Sequence, residues 1–456
     1  MKRHLSIFMA FVIVLTLVFS VPSVTYAAMN TVESDNISSY LDDLGSIMQF
    51  IKDNYAGDIT YDQMEEGAIK GILSSLDKYS TYFTKDEMDS FAESTSGTFT
   101  GVGMVVEQRD NHIVVVSTIK GSPAQKAGVK SGYIVQSVDG KDVEGMSIND
   151  VTSLIKGEKG TKVKIGFLVN GKTVEYEITR DVININPVSY KIINGIGYMS
   201  ISEFNGNTEE NVAKALDYMD QNNIKKLVID LRDDPGGYLQ EAEAVANFFV
   251  PAGPVVTVAM NGGNNQTFYS NLKNQKYKIA VLINNGTASA AEILAGAIQD
   301  TKAGVLVGEN SYGKGTVQEV FSFSDGSGMK LTIAKYLLPS GRWIDGTGLK
   351  PDVEVKDSRV TLPELVYTKD IKKGDTGNDV KLLQSYLSLL GYYKGEPNGY
   401  FGNDTYDAIV SFQKYAGIPA TGVLDRGTTD ALSYFYGLTL RNDAQLDKAI
   451  ELLNQQ

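Results

Sequence analysis

The chain has no cysteine and only two histidines in 456 residues. The first absence removes disulfides, a thiolate nucleophile and cysteine-ligated zinc. The second removes a histidine-rich metal centre. It also leaves a Ser-His-Asp triad little to use: His4 lies in an apolar N-terminal run, and His112 sits in "DNHIVVV", a turn entering a strand. Positive charge is short as well. With 42 Lys and Arg against 55 Asp and Glu, the formal charge is -13, which argues against nucleic acid as a partner. Any acyl chemistry in this chain needs a base other than histidine.

What is present reads as several domains, with 42% hydrophobic and 21% charged residues describing a soluble globular chain. Residues 1–28 have the layout of an export signal or membrane anchor: Lys2 and Arg3, an apolar run from Leu5 to Phe19, then small residues near Ala27. That layout places the working part outside the cytoplasm, secreted or anchored at a bacterial envelope. Residues 30–95 carry helical periodicity. Residues 96–182 are short β-branched strands split by glycine turns, with one helix in "SINDVTSLIKG". Residues 183–360 alternate strands and helices, the pattern of an α/β layer with sites at strand C-termini. Residues 371–434 form a small helical domain of two similar halves, and 435–456 end in the amphipathic "NDAQLDKAIELL". The fold class expected is multidomain α+β.

Three turns carry candidate chemistry. In "NNGTASAAEILAGAIQD", Ser289 lies between a strand and a helix among small neighbours. It reads either as the N-cap of a capping box with Glu292, or as a nucleophile exposed on a sharp turn, with the Ala290 N–H and the helix dipole facing an oxyanion. In "LVIDLRDDPGGYL", Gly236 and Gly237 make either a plain strand-helix turn or the other half of an oxyanion hole. In "GVLVGENSYGKGTVQE" the spacing of Gly308, Gly313 and Lys314 is that of a phosphate-binding loop, but Gly315 stands where that loop needs Ser or Thr. With histidine missing, lysine is the remaining base for a serine, since burial can lower its pKa into a useful range. Lys314 is then the general base, with Gln318 holding it; an exposed loop lysine is the plainer alternative. This chemistry needs no metal, nucleotide or other cofactor.

On these residues the sequence resembles the carboxy-terminal processing (tail-specific) serine proteases, over nearly everything from about residue 40 onward. "GTASAAEI", "YGKGTVQ", "DLRDDPGG" and "LTIAKYLLPSGRWIDGTGLKPDVEV" follow the family's pattern in order. The resemblance implies a Ser289 nucleophile, a Lys314 base, an orienting Gln318, and an oxyanion hole from Gly236 or Gly237 with Ala290. Ala291 stands at a usual serine, Asp234 at a usual asparagine and Lys156 at a frequent arginine. "GTFTGVGMVV" and "KGSPAQKAGVKSGYIVQSVDGKDV" resemble a PDZ domain. There the backbone of Gly101, Val102, Gly103 and Met104 would clasp the carboxylate of a protein substrate with an exposed apolar C-terminus. Residues 371–434 resemble a peptidoglycan-binding domain, making peptidoglycan a second candidate partner beside a merely structural role. The helical terminal segments, which pair in some such proteases, leave a homodimer open. Two rival functions remain: a non-catalytic wall-bound peptide scaffold, and an NTPase using residues 308–316.

Overall fold

The computed structural model describes residues 34–109, 111–169, 171–359, 362–439 and 443–455, so the export-signal reading lies outside the described residues. The chain divides into two compact units, residues 1–78 and 79–456. In the first, helices Ser34–Asn54 and Tyr61–Ser74 realise the helical periodicity. The second of them starts at a capping box. The Gln63 N–H reaches the Thr60 hydroxyl at 3.1 Å, and the Thr60 N–H reaches the Gln63 amide oxygen at 2.8 Å.

The second unit opens with strand Thr81–Phe83, a correction to the helix expected through residues 30–95, since these residues pair with Gly328–Lys330; helix Lys85–Ser96 follows and ends at a left-handed Gly97. A side chain there would run into Asn205 at 2.6 Å, so the stop has to be glycine. A five-stranded path follows: Met104–Arg109, His112–Thr118, Ile134–Val138, Lys162–Val169 and Lys172–Thr179. Helices Pro123–Ala127 and Ile148–Ile155 complete this part of the chain. Its core is Ile113, Val115, Val135, Val163, Ile165 and Phe167. Alternate residues of Lys162 to Ile165 point inward, as a half-buried strand requires.

The largest core belongs to a six-stranded sheet. Its order is Val188–Ile193, Ile196–Ile201, Lys226–Asp230, Lys278–Ile283, Gly304–Gly308 and Val353–Glu354. The first pair is antiparallel and the rest are parallel. The run "KIAVLI" is apolar throughout because this central strand is covered on both faces. On one face, helices Thr208–Gln221, Leu239–Ala246 and Ala290–Asp300 build the main core. Ala290 through Ile298 are all buried, so the helix after Ser289 is an interior element. On the other face, Val228, Ala280, Leu282 and Val307 pack against Ala449 and Leu453 of the last helix, Ala444–Gln455. The amphipathic pattern of that helix was legible in sequence; its partner was not. A second sheet joins Thr81–Phe83, Gly328–Leu337, Gly253–Met260 and Gln266–Ser270, with Thr316–Ser322 also paired to Gly328–Leu337.

Between the sheet and its last helix lie Asn378–Leu389, Asn403–Ala416 and Arg426–Thr439. The two similar halves have a physical basis, a fully buried glutamine in each. Gln384 accepts the Asn398 and Gly399 N–H groups and donates to the Tyr400 carbonyl and Thr405. Gln413 accepts the Gly422 N–H and donates to the Val423 carbonyl and Thr428. Each staples the turn that follows its helix.

Candidate active site

The strand Lys278–Ile283 delivers the chain into a turn bolted to the neighbouring Leu231–Gly237 loop. Asn284 accepts the Asp233 N–H at 2.9 Å, Thr287 donates its hydroxyl to the Leu231 carbonyl at 2.7 Å, and the Ala288 N–H reaches the Asp234 carbonyl at 2.9 Å. Ser289 then takes φ 55° and ψ -118°, a strained conformation for a residue with a side chain. It is partly exposed between the buried Ala288 and Ala290. The cap reading holds by half: the Ser289 N–H does reach the Glu292 carboxylate at 2.9 Å. An N-cap serine, however, ordinarily sits in extended backbone. This one forms an elbow.

Glu292 does more than cap. Wholly buried, it also accepts the Ser311 hydroxyl at 2.5 Å, the Gly313 N–H at 2.7 Å and the Lys314 N–H at 2.9 Å. Four donors satisfy a carboxyl group that would otherwise be costly in the core. One oxygen of Glu292 serves both Ser289 and Lys314, so their backbone nitrogens, each 2.9 Å from it, are at most 5.8 Å apart. The structure thus brings together two residues that lie 25 positions apart in sequence.

Lys314 is partly buried, with its Nζ 5.0 Å from the centre of the Tyr79 ring. The glycines beside it serve close packing. A side chain at Gly313 would meet the Gly348 nitrogen at 2.6 Å, and one at Gly315 would meet the Trp343 indole nitrogen at 2.6 Å. The N–H groups of Gly313 and Lys314 go to Glu292, and that of Gly315 goes to Asp345 at 2.9 Å. A phosphate-binding loop would need those same donors, which argues against the nucleotide reading. Gln318 lies on the strand Thr316–Ser322, where its amide nitrogen donates to Thr316 at 2.9 Å and Thr332 at 3.3 Å.

Gly236 packs against the elbow so closely that a side chain would sit 2.7 Å from the Ala288 carbonyl oxygen and 2.8 Å from both the Ala290 nitrogen and the Ser289 Cβ. Its N–H is held by the Asp234 carboxyl at 2.8 Å. Gly237 pairs with Phe204, whose carbonyl would lie 2.2 Å from a side chain there. Gly236 and Ala290 are therefore the two predicted donors that adjoin Ser289.

Gly101, Val102, Gly103 and Met104 line a cavity of about 270 Å³ with Phe99 and Ile155. Gly103 is left-handed (φ 76°) and abuts Ser122. Helix Lys85–Ser96 supplies a wall that the sequence did not reveal. From it Glu93 reaches across to Lys156 at 2.5 Å.

Sequence reasoning also missed the bridging role of Glu292, because S-x-x-E reads locally as a cap while its other donors arrive 19 to 22 residues later. It missed Arg232 too. This buried guanidinium is shared between Asp230 and Asp443, the latter just before the last helix. Burial works against its charge, and the two carboxylates more than offset that.

Models of known families match three stretches of the chain: peptidase family S41 over residues 195–355, a PDZ domain over 114–168, and a peptidoglycan binding domain over 376–432. The carboxy-terminal processing protease CtpA of Bacillus subtilis (strain 168) is 36% identical, with all of both chains covered. CtpB of the same organism is 35% identical over 91% of this chain and 89% of its own length. Among solved structures, a photosystem II D1 C-terminal processing protease is 30% identical, covers 68% of this chain and 86% of its own, and has a TM-score of 0.42. Fold and matches together define a serine-type peptidase with an associated PDZ domain. The chain belongs to the family of carboxy-terminal processing proteases.

Proposed function

We propose that this peptidase works by a serine nucleophile and a lysine base, Ser289 and Lys314. The observation that carries the reading is the single Glu292 oxygen that binds the N–H groups of both residues. In the reaction, Lys314 takes the hydroxyl proton as the Ser289 oxygen bonds to the scissile carbonyl carbon. The Ala290 N–H and the helix N-terminus stabilise the oxyanion, with Gly236 contributing once its N–H leaves Asp234. The C–N bond then breaks, the lysine returns its proton to the leaving amine, and water hydrolyses the acyl-enzyme by the same groups. Gln318 keeps the strand beside Lys314 in register through Thr316 and Thr332.

The substrate is a protein with a flexible apolar C-terminus. Its carboxylate meets the backbone of Gly101 to Met104, and its last side chains enter the cavity lined by Phe99, Val106 and Ile155. The enzyme acts outside the cytoplasm, exported by its N-terminal segment and held near the wall by the peptidoglycan-binding domain. Among the described residues no helix is long and apolar enough to cross a membrane.

Ser289→Ala and Lys314→Ala should each remove labelling by a fluorophosphonate probe and all cleavage, while circular dichroism stays that of the parent. Full activity of Lys314→Ala at neutral pH would rule out the lysine base.

A further inference from the structure

Asp234 is fully buried in the loop that faces the elbow. Its carbonyl accepts the Ala288 N–H and its Oδ1 accepts the Gly236 N–H, so it grips the chain on both sides of the contact between Gly236 and Ser289. Its second oxygen, Oδ2, is buried with no hydrogen-bond partner among the described residues. A carboxylate in that position would hold an uncompensated charge in the interior.

The surrounding charges offer little compensation. Glu203, from the turn after strand Ile196–Ile201, faces it with the same sign. Arg232 is occupied by Asp230 and Asp443, and Arg359 by Asp233 and Asp357. Glu292, across the elbow, is another carboxyl group and brings no positive charge, and Lys314 joins the elbow through its backbone N–H on Glu292. Burial pushes the Asp234 carboxyl well above the usual range; the Gly236 N–H pulls the other way, and Glu203 adds to the rise.

We propose that Asp234 works as a neutral acid, a positioning residue whose ionisation switches the peptidase off. In the neutral form its bond to Gly236 is an ordinary one, and the N–H can turn to the oxyanion. The ionised form holds that N–H by a charge-assisted bond and sets a full negative charge beside the site where the oxyanion must form. The inference rests on the Ser289 and Lys314 assignment above. It gives labelling a bell-shaped pH profile, rising as Lys314 loses its proton and falling as Asp234 does.

The test is the rate of fluorophosphonate labelling of the full chain across pH, for the parent, Asp234→Asn and Ser289→Ala. Asparagine keeps the shape and the acceptor but cannot ionise. The parent should lose about tenfold per pH unit beyond its turning point, while Asp234→Asn keeps the rising limb and lacks the falling one. A falling limb of the same midpoint in Asp234→Asn overturns the proposal, as does a parent profile with no falling limb. Labelling that survives Ser289→Ala instead removes the reading beneath it. Thermal unfolding supplies a second readout. A folded-state pKa raised above the unfolded value contributes stability that is lost as pH rises through it, so the midpoint of Asp234→Asn should gain on the parent as pH rises. A constant difference counts against the proposal.

Discussion

The elbow around Ser289 and the peptidoglycan-binding module at 376–432 solve one problem in two ways. Both contain tight turns whose inward N–H groups need an acceptor. At the two turns that follow the first and second helices of the peptidoglycan-binding module the acceptors are the neutral amides Gln384 and Gln413, which also donate to carbonyl and hydroxyl oxygens, while Asp425 accepts the Thr428 N–H nearby. At the elbow the acceptors are carboxyl groups: Glu292 for Ser289, Gly313 and Lys314, Asp345 for Gly315, and Asp234 for Gly236. A neutral staple holds a turn and does nothing else. A carboxyl staple adds an acidic group to the turn, and at Asp234 burial raises the pKa of that group.

The sharpest way to break this comparison is at Glu292. Glu292→Ala strands four donors, three N–H groups and the Ser311 hydroxyl, with nothing to accept them. At about 1–3 kcal/mol for each, the loss of unfolding free energy should be on the order of 4 kcal/mol or more. Probe labelling should fall to background. Denaturant unfolding with the parent midpoint would show that the carboxylate is not the staple described.

A smaller effect should follow from Gln413→Ala, which leaves the buried Gly422 N–H without its acceptor and takes the amide donor from the Val423 carbonyl. The cost should be about 2 kcal/mol, read as faster hydrogen exchange across residues 403–439. The labelling rate at Ser289 should not move. If it falls with the module, the two regions are coupled, and the contrast between them is too sharply drawn.

The strand-helix alternation of 183–360 was legible because each period repeats locally, and the elbow because Ser289 lies among small residues after an apolar run. The Gly-Lys-Gly turn was legible as a puzzle, and it needed the 343–348 segment, which no local pattern indicates, to explain its glycines. Glu292 was visible only as a cap for the same reason. A carboxylate with one local and three distant donors looks, in sequence, like a carboxylate with one. Strand Thr81–Phe83 pairs with Gly328–Leu337 across some 250 positions, and the closing helix covers a sheet begun more than 200 residues earlier. The closing helix is amphipathic enough to be named as an element, whereas residues 81–83 read as part of the helical stretch 30–95 and form a strand because their partner lies so far along the chain. Periodicity says which face is buried, never against what.

The finest test concerns Asp443, the carboxylate that docks the closing helix by binding Arg232 through both oxygens, at 2.8 and 2.6 Å. Burial raises the proton affinity of its carboxyl, and Arg232 outweighs this and holds it below the usual range. The folded pKa is therefore depressed. Its contribution is present in full above the unfolded value, near pH 4, and is lost as pH falls through the lower folded value. The protection of residues 444–455 against hydrogen exchange, taken relative to the intrinsic rate at each pH, should be unchanged from pH 7 down to about 5 and should fall below about 4, ahead of the module at 376–432. Asp443→Asn removes the group that titrates, so in that variant exchange of the helix should start faster and show a weaker acid step. If the module opened first on acidification, its neutral glutamines would not be what confers its indifference to pH, and the division of labour between charged and neutral staples would have to be given up.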